Sequence, residues 1–213
     1  MTKYEKMKRF FTTLAALVMT ISAFAQSAED IVANMTKVMD EHKNDGLVMT
    51  MDIKIPILGT MSTRAWSLGG KVRIEGKMMG QSVISWSDGT TKWSYDPKEN
   101  TIEIENDDPS ESEAKDNASM LSGATDGYDV SIKKESESEW LILCKKNKDN
   151  KEKDDPKTME LTIAKGTYHP MKLKSKLRGV SVSLYDIGFD VSENDVTFDP
   201  SAYPGAKIVD KRQ

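Results

Sequence analysis

From Leu47 to Ile57 the chain alternates with a period of two. Leu47, Met49, Met51, Ile53, Ile55 and Ile57 fall on one side, opposite Thr50, Asp52 and Lys54. Successive side chains of an extended segment point to opposite faces, so this pattern predicts a strand buried on one face only. Pro56 and Gly59 break it. Similar short runs follow at 60–68, 71–75, 83–87, 91–95 and 101–105, separated by Gly69-Gly70, Gly80, Asp88-Gly89 and Pro97 to Asn100. Such runs joined by tight turns predict an antiparallel meander, because parallel strands need long crossovers. Further strands are expected at 128–134, 140–145, 158–163, 171–177 and 180–189, with two short pieces near Val196 and Ile208. The class is therefore mainly β (α+β), with about ten or eleven strands in one highly curved antiparallel sheet.

A sheet with one apolar face needs a cover. Ser27 offers an N-cap, Glu29 and Asp30 suit a first helical turn, and Ile31, Met35, Val38 and Met39 recur at helical spacing. A helix is expected over 28–43, ended by Asn44-Asp45-Gly46. Between Asp107 and Gly127 the chain is polar and rich in serine and acids. Its Ala114, Ala118 and Leu121 have the spacing of a short, thin helix that would serve as a lid, between Pro109 and Gly123. The stretch Asn147 to Pro156 reads as a solvated hairpin tip.

The first 25 residues have the form of a secretory signal. Lys3, Lys6, Lys8 and Arg9 precede an apolar run from Phe10 to Phe24, which ends in Ala23-Phe24-Ala25. The run is short of the ~20 residues that span a bilayer. Cleavage after Ala25 would leave residues 26–213 as one domain and take the net side-chain charge from −4 to about −7. An acidic chain with no basic run beside aromatics is a poor nucleic-acid binder. Anionic lipid would repel it as well, unless a local basic patch compensates. Cys144 is the single cysteine, so no internal disulfide forms; it sits in the apolar run from Trp140 and reads as a buried thiol. An exported chain of this kind fits the periplasm.

Signs of catalysis are sparse. His42 and His169 have no partner at metal-ligand spacing, and no phosphate loop, nucleophile elbow or Cys-His pair is present. Glu103 and Glu105 read as the wet face of a strand whose other face is Ile102 and Ile104, and Asp107-Asp108 lacks the spaced ligands of a calcium loop. The reading is a non-enzyme without metal or cofactor. Ten methionines follow the signal. Methionine fills irregular gaps and also suits surfaces that accept varied apolar partners, and a sheet under so thin a second helix leaves room for an apolar guest.

The segment Asp88-Gly89-x-x-x-Trp93-x-Tyr95-Asp96-Pro97 resembles the hairpin of the periplasmic lipoprotein carriers called LolA. Val196-Thr197-Phe198-Asp199-Pro200 and Ala206 to Asp210 resemble that family's closing strands. The resemblance implies an incomplete antiparallel β-barrel with a helical lid. It also implies a monomer that shields the acyl chains of lipoproteins, or a related lipid, between inner-membrane release machinery and an outer-membrane acceptor. The cavity candidates are then Met35, Val38, Met49, Met51, Ile53, Val72, Ile74, Trp86, Trp93, Tyr95, Ile102 and Ile104. The family's Arg-Pro step, tied to lid closure, is absent. The corresponding stretch reads Gly69-Gly70-Lys71-Val72-Arg73, so that role is carried to neither Arg64 nor Arg73. The alternative is a lipoprotein-sensing or structural interaction domain of the same fold.

Overall fold

A computed structural model describes residues 26–78, 80–107 and 123–212. The expected signal segment and the lid positions Ala114, Ala118 and Leu121 lie outside these residues. Helix α1 spans Ala28–Glu41. The Ser27 hydroxyl accepts a bond from the Asp30 backbone N–H at 3.0 Å, the predicted N-cap. Ala28, Ile31, Val32, Met35 and Met39 form its buried stripe, and Val38 is half-buried beside them. The helix stops two residues short of the expected 43. His42 caps it, and Gly46 turns the chain with φ +77°, where a Cβ would lie 2.7 Å from both the Ser67 carbonyl and the Val191 side chain.

The strands are β1 (Leu47–Ile55), β2 (Gly59–Leu68), β3 (Lys71–Met78), β4 (Gln81–Ser87), β5 (Thr91–Asp96) and β6 (Thr101–Asn106), followed by β7 (Tyr128–Glu135), β8 (Glu139–Lys146), β9 (Thr158–Ala164), β10 (Pro170–Leu177), β11 (Val180–Phe189) and β12 (Lys207–Asp210). They form one sheet in the order β12-β6-β5-β4-β3-β2-β1-β11-β10-β9-β8-β7. β12 and β7 are its two edges, so the sheet is an unclosed barrel. Nearly all pairs are antiparallel hairpin neighbours, as the short turns require.

Two features depart from the expected pattern. The piece around Val196 is a short helix, α2 (Glu193–Val196), instead of a strand; Ser192 and Asp195 close a capping box at its start. β12 pairs with β6 in parallel. The cause is direction. β11 ends beside the start of β1, whereas β12 begins beside the start of β6, at the other end of the sheet. Residues 190–206, with α2 and a 3-10 turn at Pro200–Ala202, must therefore run the length of the sheet before pairing.

The main core lies between α1 and β7–β11 with β1. Ile31, Met35, Met39, Leu47, Ile142, Cys144, Leu161 and Ile163 are almost fully enclosed, with Trp140, Met159, Leu173 and Leu184 around them. Burial of each large apolar side chain contributes roughly 1.5–3 kcal/mol. A bulge in β11 opposite Val48–Thr50, with Asp186 at φ +50°, lets both Leu184 and Ile187 point into this core.

Candidate functional site

Residues paired across strands point to the same face, so the register assigns a face to each side chain. On the face that carries α1, Leu47 pairs with Ser67 and Ser67 with Val72; Met49 pairs with Ala65 and Ala65 with Ile74. Met51 pairs with Thr63 and with Leu184, and Ile53 with Met61 and with Val182. Met35, Met49, Met51, Ile53, Val72 and Ile74, all expected at a cavity, thus share the helix face. Along β1 the burial falls steadily. Leu47 and Met49 are 3% and 7% exposed, Met51, Ile53 and Ile55 are half-buried, and the turn beyond is open to solvent.

Small residues bound this apolar strip. Thr63, Ala65 and Gly76 floor it, and Ser85 and Ser87 of β4 and Ser94 of β5 end it on the far side. Gly76 shows which way the sheet bends. A Cβ built there, directed to the helix face, would come within 2.3 Å of the Ser62 carbonyl oxygen and 2.8 Å of Thr63 Cα. Such an approach arises where β2 and β3 curl toward the helix face, and glycine permits it. Around Gly76 the helix face is therefore the concave one.

Val38, on α1, is half-buried, and the five expected cavity residues of β4–β6 lie on the opposite face of the sheet. Arg73 pairs with Trp86, Trp86 with Trp93 and Trp93 with Ile104, while Ile84 pairs with Tyr95 and Tyr95 with Ile102. One cavity cannot be lined by both sets. Trp86 is 4% exposed and meets Phe198 and Tyr203 edge-on, with centroids at 5.3 and 5.6 Å. Trp93 stacks on Phe198 at 5.5 Å, and Tyr95 leans on Tyr203 at 4.5 Å. Ile102 is buried. The segment after β11 covers this second, aromatic core. The Arg73 guanidinium lies over both Trp66 and Trp86, at 5.1 and 5.7 Å, and pairs with Glu75.

The remaining chemistry is structural in character. Burial pushes the Cys144 thiol up to about 11, which keeps it protonated and unreactive at neutral pH. His169 donates from Nε2 to the Ile187 carbonyl at 2.7 Å, and the His42 ring stacks on Phe189 at 4.6 Å while bonding Asp45. Among the described residues no group of three His, Cys, Asp or Glu side chains converges as a metal site. A shallow groove of about 230 Å³ lies on the face opposite α1, lined by Lys134, Ser136, Glu139, Leu141, Glu160, Thr162, Lys172 and Lys174. Its charged lining is unsuited to an acyl chain.

No protein-family model matches the chain, and no curated protein matches it. Solved structures do. The lipoprotein LppX of Mycobacterium tuberculosis is 13% identical over 78% of this chain and 98% of its own, with a TM-score of 0.50. LprF of Mycobacterium bovis is 8% identical over 81% and 100%, also at 0.50. A LolA superfamily protein from Nitrosomonas europaea is similar over 82% and 99%, at 12% identity and a TM-score of 0.34. At these identities the likeness is one of fold. It is the fold shared with LppX and LprF, and here it is an unclosed, largely antiparallel sheet that carries a helix on one face.

Proposed function

We propose that this chain is an exported, non-enzymatic carrier that shelters acyl chains on its concave face. One observation supports the reading above all: the apolar strip of Met51, Ile53, Met61 and Ile74, half-buried on the sheet face that carries α1 and bounded by small residues. β1 alone supplies alternate apolar positions along nine residues, roughly 27 Å of extended chain. An acyl chain gains about 0.8 kcal/mol for each methylene removed from water, so such a strip offers a guest many kilocalories without hydrogen bonds. The cargo we assign is the acyl part of a lipoprotein or a related lipid. The compartment is the periplasm after cleavage behind Ala25, and the route runs from inner-membrane release machinery to an outer-membrane acceptor. Trp86, Trp93, Tyr95, Ile102 and Ile104 belong to the scaffold in this reading, not to the cargo site.

A titration of the mature chain with a fluorescent fatty-acyl probe tests it. Saturable binding is expected, weakened at least tenfold by Ile53→Asp with the fold intact, because a charge placed on the strip must be desolvated by the guest. Indifference to the probe, or binding unaffected by Ile53→Asp, would refute the proposal.

A further inference from the structure

The apolar track of β1 does not stop at the end of the strand. In the three-residue turn to β2, Ile57 is fully exposed and Leu58 is 68% exposed. Ile57 also holds φ +74°, a conformation that β-branched residues rarely adopt. A folded chain gains nothing from showing two large aliphatic side chains to water in a strained turn. Exposed apolar side chains grouped with strained backbone are a mark of a contact surface.

The charge around the turn names the partner. Residues 53–74 and 161–185 contain no Asp or Glu, although the whole chain is acidic. Their strands are neighbours: Lys54 of β1 pairs with Ser181 of β11, which pairs with Lys176 of β10. Lys54 and Lys176 therefore stand in one row just below the tip, whereas Lys174, a row further back, shares its row with Asp52 and Glu160. The β10–β11 turn abuts the tip, since a Cβ on Gly179 would meet Pro56 Cγ at 3.8 Å. Arg178 in that turn pairs with Asp154, both largely exposed, whereas neither Lys54 nor Lys176 is in an ion pair among the described residues. A second copy of the chain would bring like charges together. A folded protein partner needs far more surface than two side chains on a projecting tip, about 800 Å² on each side.

We infer that the β1–β2 turn is a membrane-docking element, which inserts Ile57 and Leu58 into the interface of an anionic bilayer while Lys54 and Lys176 meet the headgroups. The local basic patch offsets the repulsion expected from the net negative charge. Docking in this pose directs the β1 end of the concave strip at the lipid. That last point rests on the carrier reading; the docking itself does not.

Flotation of the mature chain with vesicles of phosphatidylcholine and phosphatidylglycerol at 3:1, against pure phosphatidylcholine, tests the inference. Binding to the anionic vesicles is expected, weakening with salt. The double variant Ile57→Ser/Leu58→Ser is expected to lower partitioning at least tenfold with an unchanged melting temperature. Lys54→Gln and Lys176→Gln should each lower it roughly fivefold. Because Cys144 is buried, a Leu58→Cys variant takes an environment-sensitive dye at one place, and its emission should shift to the blue on anionic vesicles only. Absence of binding to either vesicle, partitioning unchanged in the Ile57→Ser/Leu58→Ser variant, or tip variants that alter self-association and not flotation would each overturn it. Acyl-probe binding without vesicles is expected to be the same in all tip variants, so a failed docking and a failed carrier reading give different results.

Discussion

Trp86→Ala separates the two faces of the sheet. The side chain is 4% exposed, holds edge contacts with Phe198 and Tyr203, and lies under the Arg73 guanidinium. Removing a buried tryptophan costs about 3–5 kcal/mol, of which the two aromatic contacts supply about 0.5–1.5 kcal/mol each. In a domain of this size each kilocalorie moves the melting temperature by about 2–4 °C, so a drop of roughly 6–20 °C is expected. Trp93 is only half-buried on Phe198, and Trp93→Ala should cost less, roughly 2 kcal/mol. The assay is a thermal melt followed by circular dichroism, alongside acyl-probe titration at a temperature where both variants remain folded. Affinity for the probe should equal that of the parent chain, because the indole lies across the sheet from the concave strip. Lost affinity with a nearly unchanged melting temperature would refute the assignment of Trp86 to the scaffold.

Gly76→Ala places a methyl group against the Ser62 carbonyl and Thr63 backbone, and neither can move without flattening the curl of β2 on β3. A loss of about 1–3 kcal/mol is expected in denaturant titration, together with altered probe affinity. The Cys144 thiol has its pKa raised from 9.0 to about 11 in the folded chain. A group raised on folding stabilises below its unfolded value and loses that contribution as pH rises toward the folded one. Stability should therefore fall by about 2–3 kcal/mol between roughly pH 9 and 11, and Cys144→Ala should remove that pH dependence in chemical-denaturation curves. The same thiol should resist maleimide at pH 7 until the protein unfolds.

Much of this architecture was legible in period and punctuation. The alternation at Leu47–Ile57 gave β1 its face correctly, and the N-cap at Ser27 and stripe through Met39 placed α1. What period two cannot supply is which face of the sheet a strand's apolar side will meet. On β3 the apolar residues Val72 and Ile74 face the helix, whereas on β4 Ile84 and Trp86 face away from it. That inversion comes from register, which the turns set and which no single strand encodes. It explains why Trp86, Trp93, Tyr95, Ile102 and Ile104 read in sequence like the residues of β1. The partners of the three aromatics, Phe198 and Tyr203, lie about a hundred residues further on, in a segment whose path follows from β12 pairing in parallel. The serines at 85, 87 and 94 were the local signal, marking the helix face of β4 and β5 as its polar margin. The tip residue Ile57 kept the alternation of β1 on paper, but Pro56 had already ended the strand, so its exposure came from the turn.

The central claim is that an apolar guest lies on the concave strip. Photo-crosslinking of the mature chain with a diazirine fatty acid, followed by peptide mapping, tests it directly. Adducts are expected at Met51, Ile53, Met61 and Ile74, suppressed by excess unlabelled fatty acid. Adducts confined to Trp86, Trp93 and Tyr95, or labelling that excess fatty acid leaves unchanged, would contradict it.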